Sequence, residues 1–206
     1  MEPNALQSKP WRQRARRACD WVLQMFSADM PPWAFFLDFL IYPPLILLCV
    51  GLAVAEDAGF AVVPFAVLGL LGWSLAEYLI HRFAFHHAPL LQPVHLAHHA
   101  APRDLHGTPT VVTVAAFYGL VYWPLRGALP PDAAAAVMAG VLTGYLAYVA
   151  LHYVVHHHGS GGRVWLRRLI RLHAVHHHDA AHNFGVTSPL WDWVFGTLAR
   201  RGLPPT

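Results

Sequence analysis

Residues 133–153 read AAAAVMAGVLTGYLAYVALHY, an apolar run free of Asp, Glu, Lys and Arg that closes on His152, with His156 one turn further on. A helix of about 20 apolar residues spans the hydrocarbon of a bilayer. Three other stretches share this character: 34–55, 60–80 and 111–129. The first contains Asp38 and the pair Pro43-Pro44, so its helix begins near Tyr42 or is kinked there. The third carries Pro124 and Arg126 near its end. Glu56, Asp57 and Gly59 separate the first two runs, and Pro130, Pro131 and Asp132 the last two. The expected fold is therefore an all-α membrane protein, with four transmembrane helices in two hairpins and a histidine-rich helical cap on the cytoplasmic side. Residues 1–33 form an N-terminal interfacial segment and 34–206 a single membrane domain.

Composition points the same way. Hydrophobic residues make up 56% of the chain and charged residues 12%, against about 25% charged in an average soluble domain. The 16 histidines outnumber the 14 Lys and Arg residues. The net charge of +3 does not imply nucleic acid, because the basic residues flank apolar runs and form no basic face with stacking aromatics. Cys19 and Cys49 suggest no disulfide framework and cannot build a sulfur site, so metal binding must rest on nitrogen. The basic N-terminus is not followed by a short apolar core with a small-residue cleavage site, and no cleaved signal peptide is expected.

On an alternating path, every Lys and Arg except Arg126 falls on one side of the membrane, which places both termini in the cytoplasm. All the histidines then lie on that side or at the cytoplasmic ends of the second and fourth spans. Residues 11–30 mix Arg with Trp21, Val22, Leu23, Met25 and Phe26, as a basic surface helix does. Residues 191–195, WDWVF, carry aromatics suited to the headgroup level.

Four clusters carry the chemistry: HRFAFH (His81, His86), HLAHH (His95, His98, His99), HYVVH (His152, His156) and HAVHH (His173, His176, His177). Helical residues three and four apart share a face, so each of the last three clusters points its imidazoles one way. His81 and His86 are five apart and diverge on an α-helix; they serve different metals, or the helix ends between them. Ten imidazoles exceed the roughly four ligands of a zinc site, so two ions sharing ten nitrogens is the economical arrangement. Imidazole suits iron, zinc, copper and nickel alike, and spacing does not name the metal. Carboxylates should orient ring N–H groups and offset the charge; Glu77, Asp104, Asp179 and Asp192 are the candidates, with Asn183 as a polar neighbour. His87, His106, His157, His158, His178 and His182 have no independent spacing support. Gly69, Gly72, Gly140 and Gly144 allow close approach of the spans.

In order and spacing these clusters resemble the fatty acid hydroxylase and sterol desaturase superfamily. The resemblance extends to EYLIHRFAFH (77–86), HLAHHAAPRD (95–104), GYLAYVALHYVVHH (144–157) and NFGVTSPLWDWVFGT (183–197); the second and last of these look most like the sphingolipid fatty acid 2-hydroxylase branch. It implies a non-haem di-iron monooxygenase whose ligands are His81, His86, His95, His98, His99, His152, His156, His173, His176 and His177. It also implies dioxygen as oxidant, a membrane lipid as substrate and hydroxylation of its acyl chain, with the carbon next to the acyl carboxyl as the position. Zinc in purified material would not exclude iron as the working metal. Eukaryotic relatives often carry an N-terminal haem cytochrome domain; the residues before the first span are too few for one, so a separate electron-transfer protein is expected. An acidic residue often stands where Val149 stands in YVALHY. Rival readings are a sterol or carotenoid hydroxylase or desaturase of the same superfamily, and a membrane metal transporter or sensor. Transport favours polar residues along a path through the bilayer, whereas the spans here are nearly uncharged. No H-E-x-x-H motif supports a zinc hydrolase.

Overall fold

The computed structural model describes residues 30–55 and 59–199. Their order is α1 (Pro32–Val54), a 3-10 turn (Gly59–Val62), α2 (Val63–Leu79) running into a π-helix (Ile80–Phe85), α3 (Gln92–Ala100), α4 (Thr110–Ala116), a second π-helix (Phe117–Tyr122), α5 (Trp123–Ala128), α6 (Pro131–His157), α7 (Val164–His178) and α8 (Leu190–Val194). No strand occurs among the described residues. Among the described residues, three helices are long and apolar enough to cross a membrane: Pro32–Val54, Val63–Phe85 and Pro131–His157. The expected third run, 111–129, takes the form of three consecutive short pieces, α4, the second π-helix and α5. The expected surface helix at 11–30 lies outside the described residues, apart from Met30.

Helix α1 begins at Pro32, not near Tyr42, and Pro43 and Pro44 lie inside it. Tertiary contacts override the local breaker here. Tyr42 is fully buried, and its hydroxyl donates to Thr113 Oγ1 at 2.6 Å. Asp38, also buried, accepts from Thr110 Oγ1 and from the Tyr145 hydroxyl, each at 2.6 Å. A polar group in an apolar interior is retained when it is hydrogen-bonded, and this cluster ties α1 to α4 and α6.

Helix α6 is the centre of the bundle and packs most extensively on α2, then on α1. Every residue from Ala133 to Leu142 is buried. By contrast α1 and α2 expose Leu40, Leu47, Leu48, Val67, Leu68 and Leu71, the surface expected where lipid is the solvent. Between the helices sits an aromatic core in which Tyr145 contacts Tyr42, Phe117 and Trp73 at ring-centroid distances of 4.7, 5.0 and 5.3 Å. Small residues set how α2 meets α6. A Cβ on Gly69 would collide with the Val137 carbonyl, one on Gly140 with the Ala66 carbonyl, and one on Gly144 with the Trp73 ring. Gly72 differs from the expectation: it is exposed, and a Cβ there would meet nothing within 4 Å. These contacts run in parallel register, and extending that register brings His81 and His152 to the same level at one end of the bundle.

A candidate metal centre of ten histidines

Several elements bring histidines to that end. The π-helix after α2 leads His81 and His86 there, α6 ends on His152 and His156, and α3 and α7 close over them. Helix α7 is amphipathic: Leu166, Leu169, His173 and His176 form its buried stripe, at the spacing of one helical face. Its leucines pack on Val155 of α6, and that packing carries the two histidines inward.

Two groups result. Ligand atoms of His81, His86, His95, His99 and His176 lie within 4.8 Å of one another, as do those of His98, His152, His156, His173 and His177. These are the ten residues singled out by spacing. The other six histidines belong to neither group. His182 instead pairs with Asp179 at 2.9 Å on the surface, and His106 bonds through Nδ1 to the Asp104 backbone carbonyl at 3.0 Å.

Two details depart from helical-wheel reasoning. His81 and His86, expected to diverge, share a group, with their rings stacked 5.4 Å apart. Ile80–Phe85 is a π-helix, whose i→i+5 bonding brings residues five apart onto one face. Conversely, HLAHH and HAVHH do not point one way. His95 and His99 enter the first group while His98 enters the second; His173 and His177 enter the second while His176 enters the first. Residues four apart stay together, and the one between them turns towards the neighbouring group.

The donor set tests whether a metal fits. Within the first group the Nε2 atoms meet at 3.0–3.2 Å: His81–His95, His86–His95, His86–His176 and His95–His99. In the second they meet at 2.8–3.2 Å: His98–His152, His152–His156, His156–His173 and His173–His177. A neutral imidazole has a single N–H, so converging ring nitrogens cannot all satisfy one another. A central cation accepts every lone pair, and adjacent nitrogens at about 2.1 Å from an ion stand about 3 Å apart. The residues therefore fit two ions. In the first group the tautomer is set as well: Nδ1–H of His81 donates to the Phe184 carbonyl, and that of His176 to the His182 carbonyl at 2.8 Å, leaving Nε2 bare towards the centre.

Burial, reinforced by neighbouring imidazoles, keeps the rings uncharged. His86 is lowered to about 4, His95 to about 2, and His176 and His177 to about 3; His98 and His173 lie well below the ordinary 6.5. Neutral imidazole is the ligating form. Stability should follow. Above about pH 6.5 both folded and unfolded chains carry neutral rings and stability is flat; below it the unfolded chain takes up protons that the folded chain refuses, so stability falls as pH drops towards 4. Unfolding midpoints of the metal-free protein in detergent, measured between pH 8 and 4, should be constant to about 6.5 and then decline; a midpoint independent of pH would contradict this.

The carboxylates act at one remove. Glu77, buried in α2, accepts from the backbone N–H of Val186 and Thr187 and from the Thr187 hydroxyl at 2.7–2.9 Å. Asp192 accepts from Phe184 N–H and Gly185 N–H at 2.8 Å and from Thr197 Oγ1 at 2.7 Å. Asn183, with φ 56°, donates to the Leu172 carbonyl and accepts from Ala199 N–H. All three clamp the loop 183–187 that carries the Phe184 carbonyl to His81. Asp104 and Asp179 are exposed and hydrogen-bond to no member of either group, although Asp179 anchors His182, whose carbonyl holds His176. The two carbonyls leave no side-chain signature in sequence; Asn183, a residue that tolerates positive φ, is the one local hint of the turn. Of the aromatic pair in α8, Trp193 is exposed and Trp191 donates to Ser74 Oγ at 2.9 Å.

Residues 66–197 match the model of the fatty acid hydroxylase family. The chain belongs to that family. This makes it a hydroxylase-type oxidoreductase of lipid metabolism. Among fatty acid hydroxylases it is 30% identical to a dihydroceramide fatty acyl 2-hydroxylase of Arabidopsis thaliana, over 90% of this chain and 87% of that one. It is 37% identical to the fatty acid 2-hydroxylase of Rattus norvegicus over 64% of this chain, and 36% identical to the ceramide very long chain fatty acid hydroxylase of Saccharomyces cerevisiae over 75%. It spans 38% of the rat protein's length and 43% of the yeast protein's. A solved structure of Scs7p, in which only the hydroxylase domain is visible, superposes with a TM-score of 0.68 at 29% identity, covering 81% of this chain and 67% of that one.

Proposed function

We propose that the chain is an integral-membrane di-iron monooxygenase that hydroxylates the acyl chain of a membrane lipid at the 2-position. The observation that carries this reading is the convergence of ten imidazoles into two groups of five at one end of an apolar bundle. The plant, rat and yeast relatives are named as fatty acyl or ceramide fatty acid hydroxylases, which supports an acyl substrate. In the overall reaction one atom of dioxygen enters a C–H bond and the other leaves as water; two electrons come from a separate electron-transfer protein, together with two protons.

The two histidine groups, as assigned above, would each hold one ion. Iron, when bound, supplies the dioxygen chemistry. The chain supplies position and dryness. Tyr148 stacks on His152 at 5.6 Å and Phe85 on His95 at 5.3 Å, so apolar ring faces shield the nitrogens. Phe184 packs its ring against His81, His86 and His176 at 5.4–5.9 Å. Counting 111–129 as a fourth span, residues 34–206 form one domain whose histidine end faces the cytoplasm with both termini, as the distribution of Lys and Arg indicates. That position would place the ions where hydrocarbon substrate meets aqueous electron donor.

The test is the lipid profile of cells expressing the chain with a reductase system, beside cells expressing His98→Ala at equal membrane levels. New 2-hydroxy acyl chains should accompany the parent protein alone. Oxidised sterol or carotenoid rings with unchanged acyl chains would replace this reading with ring hydroxylation.

A further inference from the structure

The two histidine groups differ in what stands behind their ligands. In the first, the outer nitrogens of His81 and His176 each meet a backbone carbonyl. Those carbonyls are braced in turn: Asp192 holds the Phe184 and Gly185 amides, Glu77 the Val186 and Thr187 amides, and Asp179 the His182 ring. In the second group, Nδ1 of His98 and Nδ1 of His173 are buried and meet no acceptor, although the two residues are only 4% and 3% exposed. Val149, on the same face of α6 as His152 and His156, is apolar and packs into the aromatic core. A ring N–H bonded to a carbonyl fixes the tautomer, holds the ring plane and raises the basicity of the ligating nitrogen; losing such a partner typically weakens metal binding about 10- to 100-fold. The second group also borders a cavity. It has a volume of about 20 Å³, is lined in part by His98, His152 and His156, and has room for about one water molecule.

We propose that the two metal positions are unequal: the ion held by His98, His152, His156, His173 and His177 is the weaker and leaves first. The inference rests on the two-ion reading above, and the experiment separates them. The full chain in detergent is saturated with Zn²⁺ and equilibrated against graded dipicolinate, and zinc per chain is counted by mass spectrometry. Two ions at saturation should fall to one at a chelator concentration about 10- to 100-fold below that which removes the last. Half-depleted protein is then treated with diethyl pyrocarbonate and its peptides analysed. His152 and His156 should be modified while His81 and His176 stay protected, an assignment that needs no variant. A His98→Ala chain should keep only the tighter ion and a His95→Ala chain only the looser. Loss of both ions together, or modification of His81 and His176 first, overturns the inference. Fewer than two ions at saturation overturns the two-ion reading and the inference with it.

Discussion

Gly140→Ala is expected to leave little folded protein, while Gly72→Ala behaves like the parent chain. Both add one methyl group to an apolar helix, and the difference lies in what that methyl meets. At Gly140 it runs into the Ala66 carbonyl oxygen and the Leu70 nitrogen, backbone atoms that no rotamer change can move aside. At Gly72 nothing lies within 4 Å. Overpacking that side chains can absorb costs about 1–3 kcal/mol; a clash between two helix backbones sits at or above the top of that range. Helices α2 and α6 would have to separate, and the register that sets His81 level with His152 would be lost. Size-exclusion profiles in detergent should show aggregated Gly140→Ala and monodisperse Gly72→Ala. In Gly72→Ala, removing a glycine from a helix should itself gain about 0.5–1 kcal/mol. Equal recovery of both variants would mean that α2 and α6 do not touch as described.

Asp192→Asn should cost far more than Glu77→Gln, although each replaces a buried carboxylate with its amide. Asp192 receives two backbone N–H groups, one on each oxygen. An amide in either flip sets its NH2 against one of them, and a backbone N–H cannot turn away. Glu77 receives both backbone N–H groups on Oε1 and only the Thr187 hydroxyl on Oε2. A glutamine side chain at that position can keep its oxygen on the amides, and the hydroxyl can rotate to accept from the new NH2. Leaving a buried donor unpaired costs about 1–3 kcal/mol, with more for a lost charged acceptor. Asp192→Asn is therefore expected to lose about 2–3 kcal/mol and Glu77→Gln about 1 kcal/mol or less. For a chain of this size that is a drop of about 5–10 °C in unfolding midpoint for the aspartate variant and a few degrees for the glutamate variant. Because Asp192 braces the amide adjoining the carbonyl that holds His81, its variant should also lose metal at lower chelator concentration. Matching midpoints for the two variants would contradict the hydrogen-bond geometry.

How much of this was legible in sequence varies with the physical signal. The apolar runs at 34–55, 60–80 and 133–153 announce themselves by composition, since lipid accepts apolar side chains on every face and imposes no fine pattern; each has its long helix. The run at 111–129 has the composition but is divided at Phe117–Tyr122, a change of hydrogen-bond register that composition does not encode. Pro43 and Pro44 read as a helix start or a kink; the helix does not start there, and the Tyr42 and Asp38 contacts with α4 and α6 hold it through them. Asp38 itself was visible as a carboxylate in an apolar run. Its partners, Thr110 and Tyr145, lie far along the chain and only packing brings them to it.

The sequence alone marked out the long apolar helices and the ten histidines that converge, because each depends on residue type and on spacing within one helical turn. Tertiary structure decided how those ten divide. His95 and His99 separate from His98, His176 separates from His173 and His177, and a π-turn brings His81 beside His86. That division depends on the rotation and level at which α2, α3, α6 and α7 pack, set by backbone contacts at Gly69 and Gly140 and by a loop clamped through Glu77 and Asp192. Those are relations between distant segments, and no local periodicity in the chain specifies them.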